Sequence, residues 1–204
     1  MNQVVKIQSV YRGRYTRKLL VENTDGMTPD MLLRCIESYR QTIQNEKEMN
    51  AKLTNKKIRY SNFPSHISEN IAKFAFGKKY GIMPTWDTKV GDLVVSKMSS
   101  PIRLEVKGSL NLANGPPTFG PTEVWDRILF VDAVDMYNDN YLVYEIQLSN
   151  QSQEWKQLKV SETQTYYDQC QQGRRPRLAF EKIQNQVGNK CNLIFDGHIK
   201  SLFQ

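Results

Sequence analysis

Residues 88–109 read TKVGDLVVSKMSSPIRLEVKGS, and the pattern inside this stretch sets the expected architecture. Two short apolar runs, DLVV from Asp92 and IRLEVK from Ile102, are joined by a polar connection carrying Ser99, Ser100 and Pro101. In the second run apolar residues alternate with charged ones, which is the period of a strand. Ile102, Leu104 and Val106 therefore share one face, and Arg103, Glu105 and Lys107 share the other. Asp92 stands at the head of the preceding run. Two carboxylates and an ammonium converging from paired strands have the chemistry of a divalent-metal site with a water-activating lysine.

Downstream, SLNLANGPPTFGPTEVWD is rich in Gly, Pro, Asn and Thr and is too long for a hairpin turn. Arg127 to Asp135 (RILFVDAVD) and Tyr141 to Ser149 (YLVYEIQLS) read as two further strands around a YNDN turn. The nearly continuous ILFV run fits a central strand covered on both sides. Residues 150–177 are polar and include Lys156, Lys159 and the basic tract from Gly173 to Arg177. Phe180 to Val187 predicts a short helix, and CNLIFDGHI a closing strand or turn.

Upstream, Pro64-Ser65 opens a helix with Ile67, Ile71, Phe74 and Ala75 on one face. Glu69 lies off that face, one turn from Lys73, where a solvated ion pair is expected. Thr28-Pro29, followed by Asp30, starts an earlier helix, with Thr28 as its cap. Leu32, Ile36, Tyr39 and Ile43 carry its apolar stripe to about Leu53. Its polar end, NEKEMNAKLTNKK, is expected to project, to touch a nucleic acid or to pack on a second subunit. A basic connection spans residues 54–63. Residues 2–22 suggest an early strand or arm carrying Arg12, Arg14, Arg17 and Lys18.

A chain of 204 residues is most economically one domain, here residues 1–204. Its 39% hydrophobic and 24% charged residues are ordinary for a soluble globular protein. No apolar run approaches the roughly 20 residues that span a bilayer. The first residues lack the apolar stretch of a secretory signal, and a cytoplasmic location with no membrane partner is expected. Cys35, Cys170 and Cys191 form no C-x-x-C pair, which argues against zinc and against a disulfide framework. The net charge of +7 and pI near 9.2 favour a polyanionic partner.

The acidic-x-Lys tripeptide occurs three times, at Asp87, Glu105 and Glu154, close to what composition gives by chance. Only Glu105-Val106-Lys107 lies in an alternating strand with an aspartate heading the strand before it. That arrangement, Gly91-Asp92-Leu93 followed by Leu104-Glu105-Val106-Lys107, resembles the PD-(D/E)xK metal-dependent nuclease core, with Gly91 in place of the proline. The pieces FPSHISENIAKFAF, GDLVV, LEVKGS and GPPTFGPTEVWDRILFVDA resemble, in that order, a group of type II restriction endonucleases. The FGPTE-W segment is the more specific part, because the catalytic motif is short and degenerate.

The resemblance implies an α/β fold, a restriction-endonuclease-like α/β/α core with a central mixed β-sheet flanked by helices. It implies Mg²⁺ held by Asp92 and Glu105, with the Val106 carbonyl as a further oxygen ligand. Lys107 would orient the attacking water, Glu69 would assist from its helix, and double-stranded DNA would be cut to leave 5′-phosphates. Ser109, Asn111, Asn114, Thr118, Thr122 and Glu123 lie beside the catalytic strand and are candidates for the DNA-facing surface. Phe119, with Trp125, is a candidate to stack or wedge against bases, with packing in the core as the alternative reading. Lys156, Lys159, Arg174, Arg175 and Arg177 are second candidates, for phosphates more than for bases. A two-fold DNA site calls for a two-fold protein, so a homodimer is expected. Two other readings remain. One is a repair or junction-resolving nuclease on the same core. The other is a non-catalytic basic DNA-binding protein in which Asp92, Glu105 and Lys107 form surface ion pairs.

Overall fold

The structure, a computed structural model, describes residues 26–87, 91–96, 100–110 and 116–204. The basic arm at residues 2–22, together with Asn111 and Asn114, lies outside the described residues.

Six strands form one sheet in chain order: β1 (Thr85–Trp86), β2 (Leu93–Val95), β3 (Ile102–Ser109), β4 (Arg127–Asp132), β5 (Asn140–Ile146) and β6 (Cys191–His198). Neighbours run antiparallel except β3 and β4, which are parallel, so the sheet is mixed. A parallel neighbour cannot be reached by a hairpin; the chain must cross over. This is why the Gly/Pro-rich stretch after β3 is long.

The first helix, α1 (Pro29–Lys52), begins as its sequence predicts. The Thr28 hydroxyl accepts the Met31 N–H at 3.3 Å, and Leu32, Ile36, Tyr39 and Ile43 are buried. Its polar far end does not simply project. Asn50 exchanges two hydrogen bonds with the main chain of Ile58, at 3.1 and 2.7 Å, and Glu46 accepts the Ser61 N–H at 2.9 Å. The helix thereby straps down the basic connection that follows it.

The second helix, α2 (Ser65–Tyr80), ends at Gly81, whose φ of 69° is the left-handed geometry of a helix stop. It is buried on most sides, including Lys73, because it lies between α1, the sheet and the turn Ile199–Phe203. The expected solvated pair between Glu69 and Lys73 does not form. Lys73 is 3% exposed and lies over the Trp86 ring, 5.3 Å away, while Glu69 faces Asp92 and Lys107.

On this side of the sheet Leu93, Leu104, Val106, Leu129, Val131 and Val143 pack against Ile36, Ile67, Ile71 and Phe74. The opposite face holds a second core of Phe119, Trp125, Ile128, Ile146, Trp155, Tyr166 and Ile183. Three short helices cover it: α3 (Gln153–Lys156), α4 (Tyr166–Gln171) and α5 (Phe180–Val187). Residues 150–177 are therefore polar in composition but supply Trp155 and Tyr166 as anchors. Trp155 sits edge-on to Trp125 and Phe119 at 5.6 and 5.2 Å. The result is an α/β/α sandwich around a mixed sheet, as the sequence implies.

Gly108 lets α2 approach β3. A Cβ there would stand 2.7 Å from Phe63 Cδ1 and 2.8 Å from Ser68 Cβ. Gly108→Ala should therefore push α2 off the strand and cost about 1–3 kcal/mol of stability, read by chemical unfolding.

Candidate active site

β2 and β3 pair with Leu93 opposite Leu104. One step further along that register sets Asp92 beside Glu105. The Val106 N–H donates to Asp92 Oδ2 at 2.7 Å, which fixes the aspartate against the strand it faces. Strand alternation separates Val106, in the helix-side core, from Glu105 and Lys107 on the other face. Glu105 is only 5% exposed, and its carboxylate accepts a hydrogen bond from the Lys107 ammonium.

Burial lifts the Glu105 carboxyl to about 7, and the nearby Asp92 charge adds to the rise while Lys107 opposes it. Burial also raises Asp92, against the lowering effects of the Val106 N–H and Lys107. Glu69, on the second turn of α2, is raised by burial and by the Asp92 charge. Asp92 therefore has one carboxyl neighbour in Glu105 and another in Glu69, and a cation would offset that repulsion.

Asp92, Glu69 and Lys107 line one cleft of about 450 Å³ at the end of β3. Ser109, Thr118 and Arg177, all candidates from sequence, line it as well. Arg59, Ser61 and Asn62 on the strap form part of the cleft wall. Sequence reasoning missed them because residues 54–63 have no periodicity; their position comes from Glu46 and Asn50 on α1.

The crossover and the basic tract, treated separately in the sequence, meet in the structure. Thr118 bridges Arg177, and Phe119 N–H donates to the Pro176 carbonyl at 3.0 Å. Arg175 reaches Glu123 at 2.6 Å, and Glu123 in turn lies 3.9 Å from Lys107. Thr122 and Arg174 are exposed nearby in sequence. Phe119 requires a correction: it is 0% exposed, packed against Trp125 and Trp155, and is not available to stack on a base. Trp125 is equally enclosed. Lys156 and Lys159 belong to the short-helix layer and do not line the cleft.

Among the described residues, no group of three or more His, Cys, Asp or Glu side chains is placed to hold a metal ion. Asp92 and Glu105 stand side by side on the paired strands, and Glu69 faces Asp92 from α2. Oxygen donors suit a hard divalent ion, and Mg²⁺ sites commonly use one or two carboxylates plus water and phosphate. The residues therefore fit such an ion.

An α/β/α sandwich with two carboxylates and a lysine at the end of a mixed-sheet strand pair defines a restriction-endonuclease-like nuclease core. The profile of the Bsp6I restriction endonuclease family matches residues 34–187, and the chain belongs to that family. It is 29% identical to the type II restriction enzyme Bsp6I of Bacillus sp. (strain RFL6) over 137 residues, covering 67% of this chain and 73% of that enzyme. No solved structure matches the chain. The protein is thus a site-specific endonuclease of the type II restriction class, a class that acts on double-stranded DNA and generally uses divalent metal ions. Among the described residues no helix is long and apolar enough to cross a membrane.

The raised carboxyl of Glu105 has consequences of definite sign. Between the ordinary value of 4.5 and about 7 the folded protein holds this proton more tightly than the unfolded chain, so stability falls as pH rises through that window. Glu105→Gln should therefore stabilise the metal-free protein by about 1–3 kcal/mol near pH 8, with the gain vanishing near pH 4. Thermal unfolding in a chelator at the two pH values checks this. Cation affinity of the unaltered protein should rise with pH through about 7, as the competing proton leaves.

Proposed function

We propose that this single-domain enzyme hydrolyses phosphodiester bonds of double-stranded DNA at a specific sequence with Mg²⁺, leaving 5′-phosphates. Asp92 and Lys107 lining one polar cleft, with Glu105 bonded to Lys107 behind them, carry this reading. Asp92 and Glu105 would hold the cation through carboxylate oxygens, with the Val106 carbonyl as a further donor and Glu69 assisting from α2. The cation would lower the pKa of water and offset the charge that builds on the phosphate. Lys107, 17% exposed, would orient the attacking water and donate to a phosphate oxygen.

Ser109, Thr118 and Arg177 line the cleft beside Lys107 and are proposed to meet the DNA, with Arg174 and Arg175 on the adjoining tract. Arg59 and Asn62 extend that surface on the strap. Thr122 is exposed on the crossover and is proposed for the same surface. A two-fold site on DNA is best matched by two copies of the chain, and we infer a homodimer that places one centre on each strand.

Digestion of a long phage genome, with and without Mg²⁺, tests the reading. Discrete fragments with one shared end sequence, only with the cation, are expected. Preference for branched or damaged DNA would indicate a repair or resolving nuclease, and no cation-dependent cutting would leave a binding protein. Lys107→Ala should lower the cleavage rate by about 100-fold or more while gel-shift affinity is retained. Cutting at the unaltered rate would remove Lys107 from the mechanism.

A further inference from the structure

Lys107 has one ammonium and two carboxylates within reach. It bonds Glu105 on its own strand, and Glu123 Oε2 lies 3.9 Å away on the crossover. That oxygen is buried and has no hydrogen-bond partner among the described residues. Its twin, Oε1, is held by Arg175 at 2.6 Å. Gly120 leaves room for the carboxylate, since a Cβ there would lie 2.5 Å from Oε1. The Phe119 ring, 5.4 Å from the Lys107 nitrogen, backs the space between the two acids. The carboxylate is thus clamped at one oxygen and left open at the other, toward the lysine.

The bond between Lys107 and Glu105 raises a difficulty for the proposed activity. Glu105 cannot give its carboxylate fully to a divalent cation while it neutralises Lys107. A displaced ammonium would stay 17% exposed beside a doubly charged ion, which is costly without a counter-charge. We propose that Glu123 is the second seat of the Lys107 ammonium, a positioning residue that receives it when Glu105 turns to the cation. This rests on the functional reading given above. The short shift moves the lysine from one acid to the other without removing it from the cleft. Arg175 fixes the receiving carboxylate, so a basic side chain of the candidate DNA surface also sets the position of the catalytic lysine.

The test is Mn²⁺ binding to the full chain without DNA, followed by calorimetry or by the electron-spin signal of the free ion. Glu123→Gln keeps a hydrogen-bond partner for Arg175 but loses the charge. It should weaken Mn²⁺ binding roughly tenfold when Lys107 is present. In a Lys107→Met background, with no ammonium to receive, Glu123→Gln should have little effect. Glu123→Asp should recover part of the affinity. Gly120→Ala, which displaces the carboxylate without removing it, should show the same dependence on Lys107. An equal loss in both backgrounds would overturn the proposal, because Glu123 would then act on the cation directly. An unchanged affinity in Glu123→Gln would overturn it as well. If Mn²⁺ bound the Asp92→Asn variant as tightly as the unaltered chain, the metal-site reading itself would fall, and this inference with it.

Discussion

The antiparallel register of β2 on β3 is the constraint on which the site depends. It sets Asp92 beside Glu105 and lets the Val106 N–H hold the aspartate in place. Two carboxylates are thereby forced together in a position where burial already disfavours their charge. The apolar residues that alternate with them, Leu104 and Val106 on β3 and Leu93 and Val95 on β2, supply the compensating burial. A slip of one residue would turn those side chains outward and separate the acids at the same time. Packing and chemistry are therefore tied to one register.

The parallel pairing of β3 with β4 has the next largest effect. It requires a crossover, and the crossover carries Thr118, Phe119 and Glu123 past the end of β3. Phe119 and Trp125 anchor that passage in the second core, and Thr118 just before them lines the cleft. The tract ending at Arg177 is bonded to the same passage. Residues from distant parts of the chain thus share one wall because a single aromatic cluster fixes both.

Much of this could be read without coordinates. The strand alternation around Glu105, the cap at Thr28, the short helix from Phe180 to Val187 and the central strand at ILFV all follow local rules and are found where those rules put them. Residues 150–177 were harder. Their composition is polar, yet Trp155 and Tyr166 complete a core, because single anchors with no period leave no pattern to detect. Phe119 is open to two readings from sequence, stacking on a base or packing in a core, and its partners Trp125 and Trp155 decide for the core. Glu69 could be placed on a helix but not aimed, since its direction depends on how α2 lies across β3 at Gly108.

The sequence by itself determined helices α1, α2 and α5, strands β2 to β5, the alternating faces of β3 and the acidic-x-Lys spacing, all of which are set by interactions within a few residues. Its resemblance to known nucleases also pointed to the family. The tertiary structure alone decided that Glu123 would stand between Lys107 and Arg175, that Arg59 would border the cleft, and that Phe119 would be enclosed. Those placements arise from contacts between segments tens of residues apart, and side-chain period carries no record of them.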